Sequence, residues 1–184
     1  MRTPTSRARL VLAAAALLGC RTAQPVAEAP VRPDATDGAT QDRPGPGVGQ
    51  AAPPVSLKTI DGAPLSLARG KVTVLVFWAT WSGPDKRELI KLEELNVRFA
   101  AAGLAIVALS IDDEPKGLAE FAKTYRLRFP IGWDAGHRIA EVYRPTSDPT
   151  TYVIDRSGII RFVHAGYHDG EAEIIASEVE SLQR

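Results

Sequence analysis

The 184-residue chain is predicted to be an α/β protein, with a central mixed β-sheet flanked by helices and an N-terminal β-hairpin before it. Three observations predict this. Val72, Val74, Leu75, Val76, Phe77 and Trp78 make a nearly unbroken apolar run rich in β-branched and aromatic residues, the pattern of a strand covered on both faces. From there apolar runs of strand length alternate with segments of helical periodicity, which argues for parallel pairing. Near the end, two strand patterns meet across Asp155-Arg156-Ser157-Gly158, a short turn that makes the last strands antiparallel.

In chain order, Arg2, Arg7 and Arg9 precede the apolar run Leu10 to Leu18, then Gly19 and Cys20. A basic start, a short apolar core and a small residue before a cleavage point form a secretory signal over residues 1–19. The run is too short to span a bilayer as a permanent helix. Residues 20–52, rich in Pro, Ala, Gly, Asp and Thr, show no apolar period and read as a flexible tether, with order beginning near Pro53. Residues 53–184 are the domain. Val55 to Ile60 and Leu65 to Leu67 flank the turn signal Asp61-Gly62 and form the hairpin. After the central strand, Pro84 sits where a helix begins, and Asp85 to Ala101 carries apolar residues at helical spacing until Gly103.

Leu104 to Ile111 is a second buried strand. Asp112-Asp113-Glu114-Pro115 opens a helix expected to run to about Leu127, its acids favoured by the helix dipole. A short strand at Phe129 to Trp133, a short helix at Gly136 to Tyr143 and a loop at Arg144 to Pro149 follow. The strands Thr150 to Ile154 and Ile159 to His164 and an amphipathic helix from Glu171 to Leu182 complete the domain.

Composition narrows the function classes. Lys and Arg together equal Asp and Glu, 22 each, so no basic excess points to nucleic acid. Removing residues 1–19 leaves 19 basic against 22 acidic side chains. The sequence holds no P-loop, GxGxxG or HExxH pattern, and no cofactor is expected.

FWATWSGPDKREL, residues 77–89, resembles the active-site segment of the thioredoxin-like, membrane-attached thiol–disulfide oxidoreductases of the TlpA/ResA type, within the wider redoxin (AhpC/TSA-related) group. The resemblance covers roughly Val55 to Arg184 and implies a thioredoxin-like fold. In that family the four residues after the tryptophan are Cys-x-x-Cys; here they are Ser82, Gly83, Pro84 and Asp85. Leu17-Leu18-Gly19-Cys20 resembles a lipoprotein lipobox, implying that Cys20 is lipidated and holds the protein on a membrane facing the periplasm. An ordinary signal peptide with a chance cysteine is the alternative. Arg21 and Thr22 after it lean towards the outer membrane by analogy with enteric sorting. Cys20 is the single cysteine, so once acylated it leaves no thiol for disulfide exchange.

From the residues alone, Ser82-x-x-Asp85 has the form of a capping box worth about 1 kcal/mol. Serine-based catalysis needs an acid–base partner that is not visible in the sequence. Asp148-Pro149-Thr150-Thr151 resembles the family's Pro-Thr-Thr segment, implying a cis Pro149 facing the turn and a groove for an extended peptide through Trp81, Ser82–Asp85 and Asp148–Thr150. Without the resemblance, Ser147-Asp148-Pro149 is a turn before a strand and Trp81 a half-exposed loop aromatic. Asp113 falls where the resemblance places a buried pKa-tuning acid; helix capping by Asp112, Asp113 and Glu114 is the reading from the residues. His164 and His168 are four apart, but at a strand end, so no metal is expected.

The expectation is a membrane-tethered, redox-inactive module that binds an envelope protein or peptide. The alternative is the family's own activity, thiol–disulfide oxidoreductase or peroxiredoxin-type antioxidant. Small-ligand binding around Trp81 and Pro149 is a third possibility.

Overall fold

A computed structural model describes residues 44–184. The signal segment, Cys20 and most of the expected tether lie outside the described residues. The domain is built from β1 (Ser56–Lys58), β2 (Pro64–Ser66), β3 (Val72–Trp78), α1 (Gly83–Phe99), β4 (Leu104–Ser110), α2 (Leu118–Thr124), β5 (Ile131–Trp133), α3 (Arg138–Tyr143), β6 (Thr150–Ile154), β7 (Ile160–Ala165) and α4 (Glu171–Gln183). Short 3₁₀ turns at Ala100–Ala102 and Ala135–His137 continue α1 and lead into α3.

The five-stranded sheet has the order β5-β4-β3-β6-β7. β3 pairs parallel with β4, and β4 with β5, through α-helical crossovers; β6 runs antiparallel to both β3 and β7. This is the expected mixed sheet. Every residue of β3 is buried. Strand alternation sends Val72, Val74, Val76 and Trp78 to one face, where they meet Leu89, Leu92 and Phe99 of α1, Leu118 of α2 and Ile175 and Val179 of α4. Leu75 and Phe77 point to the other face, against Val55, Leu65, Tyr143, Tyr152 and Ile160. Each such large side chain contributes about 1.5–3 kcal/mol by leaving water, which is why the run tolerates no polar residue but Thr73.

The N-terminal segment lies across that second face and reaches both rims of the sheet. Gly49 N–H donates to the Ile160 carbonyl (2.8 Å) and Ile160 N–H to that of Gln50 (2.9 Å), beside β7. On the far side, Ile60 N–H donates to the Ile131 carbonyl (2.8 Å), and Thr59 bridges Gly132 of β5. Gly132 leaves room for this: a Cβ there would strike the Leu57 and Leu65 side chains. The ordered backbone thus starts before Pro53. Residues 49–52, placed by composition within the tether, are docked through main-chain hydrogen bonds, which apolar periodicity does not register.

The helix expected from Asp112 is shorter. α2 begins at Leu118 after Gly117 in the left-handed region (φ 89°). The acids before Pro115 do not cap it, because Asp112 is committed elsewhere and Asp113 and Glu114 lie in the loop.

Candidate functional site

The C-terminal end of β3 feeds the turn 79–82, and α1 starts at Gly83 with Ser82 as N-cap. Ser82 Oγ accepts the Asp85 N–H at 3.4 Å and donates to Asp85 Oδ1 at 2.6 Å. Asp85 Oδ2 accepts the Ala79 N–H at 2.7 Å. The predicted capping box is therefore formed with a twist: the acid reaches back three residues beyond the N-cap and pins the start of the turn. Asp85 is fully buried. Burial pushes its carboxyl above the usual range, the Ser82 and Ala79 hydrogen bonds opposing, and the charge of Asp148 adds to the rise.

Antiparallel pairing of Phe77 with Thr150 brings the loop before β6 to the same end of the sheet as the turn. The Asp148–Pro149 peptide bond is cis, as the resemblance implied. Pro149 C=O accepts the Gly166 N–H (2.7 Å), and Thr150 Oγ1 donates to the Ser147 carbonyl (2.6 Å). Neither the N–H nor the C=O of Asp148 has a partner among the described residues. Unpaired main-chain groups at a surface are what an extended peptide uses to dock. Trp81, in the turn at the same end of the sheet, is 68% exposed, more open than the half-exposed loop aromatic expected. The sequence-predicted residues Trp81, Ser82, Gly83, Pro84, Asp85, Asp148, Pro149 and Thr150 thus come together at one end of the sheet. Lys86 sits over the Tyr125 ring and Arg87 over that of Tyr167, flanking the turn with cations.

Asp113 is not the buried acid. Its side chain is fully exposed and meets His137 at 3.9 Å. Asp112 is the buried neighbour: its carboxylate accepts from Thr80 N–H (3.1 Å), Thr80 Oγ1 (2.6 Å) and Ser110 Oγ (2.7 Å), tying the end of β4 to the turn. The acid beneath the turn is Glu88, one helical turn past Asp85 and 3% exposed. Thr151 Oγ1 donates to Glu88 Oε1, while Glu88 Oε2 is buried with no partner. Burial raises its pKa to about 7, the Thr151 bond opposing and Glu171 adding to the rise. Glu88 escaped the sequence reading, yet a signal was there: with Asp85, Leu92 and Leu95 it shares the apolar stripe of α1. His164 Nε2 is hydrogen-bonded to Glu178 (2.8 Å), and its Nδ1 lies 3.3 Å from the Glu171 carboxylate.

Chemically, the turn holds a hydroxyl and a buried carboxyl where exchange chemistry needs two thiols. Among the described residues, no cluster of three or more His, Cys, Asp or Glu side chains could hold a metal ion. Two clefts open elsewhere: one of about 630 Å³ between α1 and α2, lined by residues such as Ile90, Val97 and Leu127, and one of about 910 Å³ at the N-terminal end of β3.

Comparison with known proteins agrees with this fold. The family model described as AhpC/TSA matches residues 48–163. The thioredoxin-like protein YneN of Bacillus subtilis is 42% identical over 123 residues, 64% of this chain and 71% of that protein. The thiol–disulfide oxidoreductase ResA of Bacillus thuringiensis subsp. konkukian is 32% identical over 113 residues, 60% of this chain and 65% of its own length. Among solved structures, a putative thiol:disulfide interchange protein DsbE from Chlorobium tepidum superposes with a TM-score of 0.71 at 23% identity, over 76% of this chain and 99% of that one. A putative protein disulfide isomerase from Bacteroides thetaiotaomicron gives 0.68 at 26% identity, over 75% and 91%.

Proposed function

The chain belongs to the AhpC/TSA family, among its thioredoxin-like, ResA-related thiol–disulfide oxidoreductases, and from that premise we propose that it has kept the fold's peptide groove and given up the redox step. The observation that carries the proposal is the Ser82–Asp85 hydrogen bond of 2.6 Å, occupying the turn where the family holds its cysteine pair. A serine hydroxyl cannot form a disulfide, and Asp85 is engaged in holding Ala79 and Ser82. What remains at the surface is the binding half of the site: Trp81 exposed, and the main-chain groups of Asp148 open to a strand. The module then binds a protein or peptide of the cell envelope. Cys20, lipidated, ties it to a membrane, with the outer membrane favoured. No helix among the described residues is long and apolar enough to cross a membrane.

The test uses the full chain with Cys20→Ser, which holds no thiol. It is expected to leave a disulfide-bonded peptide unreduced at the background rate, yet to bind unfolded envelope polypeptides with a shift in Trp81 fluorescence. Reduction above background overturns the loss of redox function. Binding that survives Trp81→Ala unchanged overturns the groove.

A further inference from the structure

Lys86 and Arg87, the two cations that follow Asp85 in α1, diverge. Lys86 Nζ sits 4.6 Å from the centre of the Tyr125 ring, at the end of α2. Arg87 Cζ sits 5.0 Å from the centre of the Tyr167 ring, just beyond β7. Arg87 is the one that reaches the turn. A helical side chain leans back over the turn before its own, and a Cβ on Gly83 would lie 3.9 Å from Arg87 Nη1. Tyr167 belongs to the other wall, since its neighbour Gly166 donates its N–H to the Pro149 carbonyl (2.7 Å). The guanidinium therefore lies between Gly83 of the turn and the segment bonded to the cis-proline loop.

Arg87 is exposed and makes no ion pair or hydrogen bond among the described residues. The acids beside it in the helix are held elsewhere, Asp85 by Ala79 and Ser82 and Glu88 by Thr151. Asp148, the acid of the loop, makes no ion pair with it, and burial pushes that carboxyl above its ordinary range, which disfavours its charge. The stack on Tyr167 orients the guanidinium plane and leaves its N–H edge for a planar acceptor. The open main-chain N–H and C=O of Asp148 belong to the same end of the sheet.

We propose that the peptide taken by this groove carries an acidic side chain, Asp or Glu, whose carboxylate Arg87 binds through paired N–H donors. The inference rests on the groove being a peptide site, and it makes Arg87 the residue that sets specificity there. A strand paired with Asp148 sends alternate side chains to one side, so a single acid in register suffices. A basic side chain in that place meets a like charge.

The experiment titrates the full chain with Cys20→Ser, labelled with nitrogen-15, with an acetylated, amidated heptapeptide of Thr and Val that has Glu at its centre. The same peptide with Gln or Lys there, and the Gln peptide with a free C-terminus, are the other arms. Shifts are expected at residues 82–87, 147–150 and 166–167, with the Glu peptide about 5-fold tighter than the Gln peptide and the Lys peptide weakest. Arg87→Gln, at an exposed position, should bring the Glu peptide down to the affinity of the Gln peptide. Lys86→Gln should keep the preference. Equal binding of the three capped peptides, or a preference that survives Arg87→Gln, overturns the carboxylate site and leaves the groove standing. Absence of shifts at residues 82–85 and 148–150 with every peptide overturns the groove, and this inference with it. A free C-terminus that makes the Gln peptide bind as tightly as the Glu peptide overturns the side-chain assignment in favour of a chain end.

Discussion

Thr151 donates its hydroxyl proton to Glu88, joining the strand that follows the cis proline to the helix that follows the Ser82 turn. One carboxyl oxygen is held and the other is buried with no partner. A protonated Glu88 suits this pocket and an ionised one does not.

The sign of the pH dependence follows. The folded-state pKa of Glu88 is raised from 4.5 to about 7, so between those values the folded chain holds a proton that the unfolded chain has released. Its contribution to stability is full below pH 4.5 and is lost as pH rises through 7, on the order of 3 kcal/mol in all. Asp85, also raised, acts in the same direction. Urea denaturation between pH 4.5 and 8 should show this fall, and Glu88→Gln should flatten it and be the more stable protein above pH 7. An unchanged slope in the variant would refute the assignment.

Asp85→Ala removes the acceptor of the Ala79 N–H and the partner of Ser82 in one step. A loss of about 1–3 kcal/mol is expected, together with faster amide exchange at Ala79. Asp85→Asn, which keeps an acceptor, should lose less. If both variants melt with the native protein, the carboxyl does not pin the turn.

Trp81 is exposed and belongs to neither core cluster. Trp81→Ala should change stability by no more than about 0.5 kcal/mol while weakening peptide capture. Calorimetry and a pull-down on the same preparation separate the two effects.

Ser82→Cys with Asp85→Cys, in a Cys20→Ser background, places two thiols at the start of α1, where the helix dipole favours a thiolate. This variant should reduce a disulfide peptide that the parent leaves intact. A folded but inert double variant would mean that the surrounding groove, and not only the thiol pair, has changed.

What the sequence made legible was whatever rested on local pattern. β3 and β4 are apolar runs, and β6 and the start of α4 fall where periodicity places them. Contacts made across long stretches of chain stayed hidden. Asp112 reads as a helix cap until Thr80, 32 residues earlier, takes its carboxylate. Glu88 looks like one more charge on a surface helix until Thr151, 63 residues on, closes over it. The capping box was visible because its two members are three residues apart, but its reach to Ala79 was not.

The segment that crosses the second face of the sheet carries a consequence for how copies of the molecule meet. A sheet with open rims offers each rim as a template to another chain, and association by strand addition follows readily. Here Gly49 and Gln50 occupy the outward main-chain groups of Ile160, and Thr59 and Ile60 cover β5. The same short stretch blunts both rims at once, without adding a full strand to either. Cutting the chain back past Thr59 would unseal them together, and the shortened protein should pass from a single species to concentration-dependent oligomers in sedimentation.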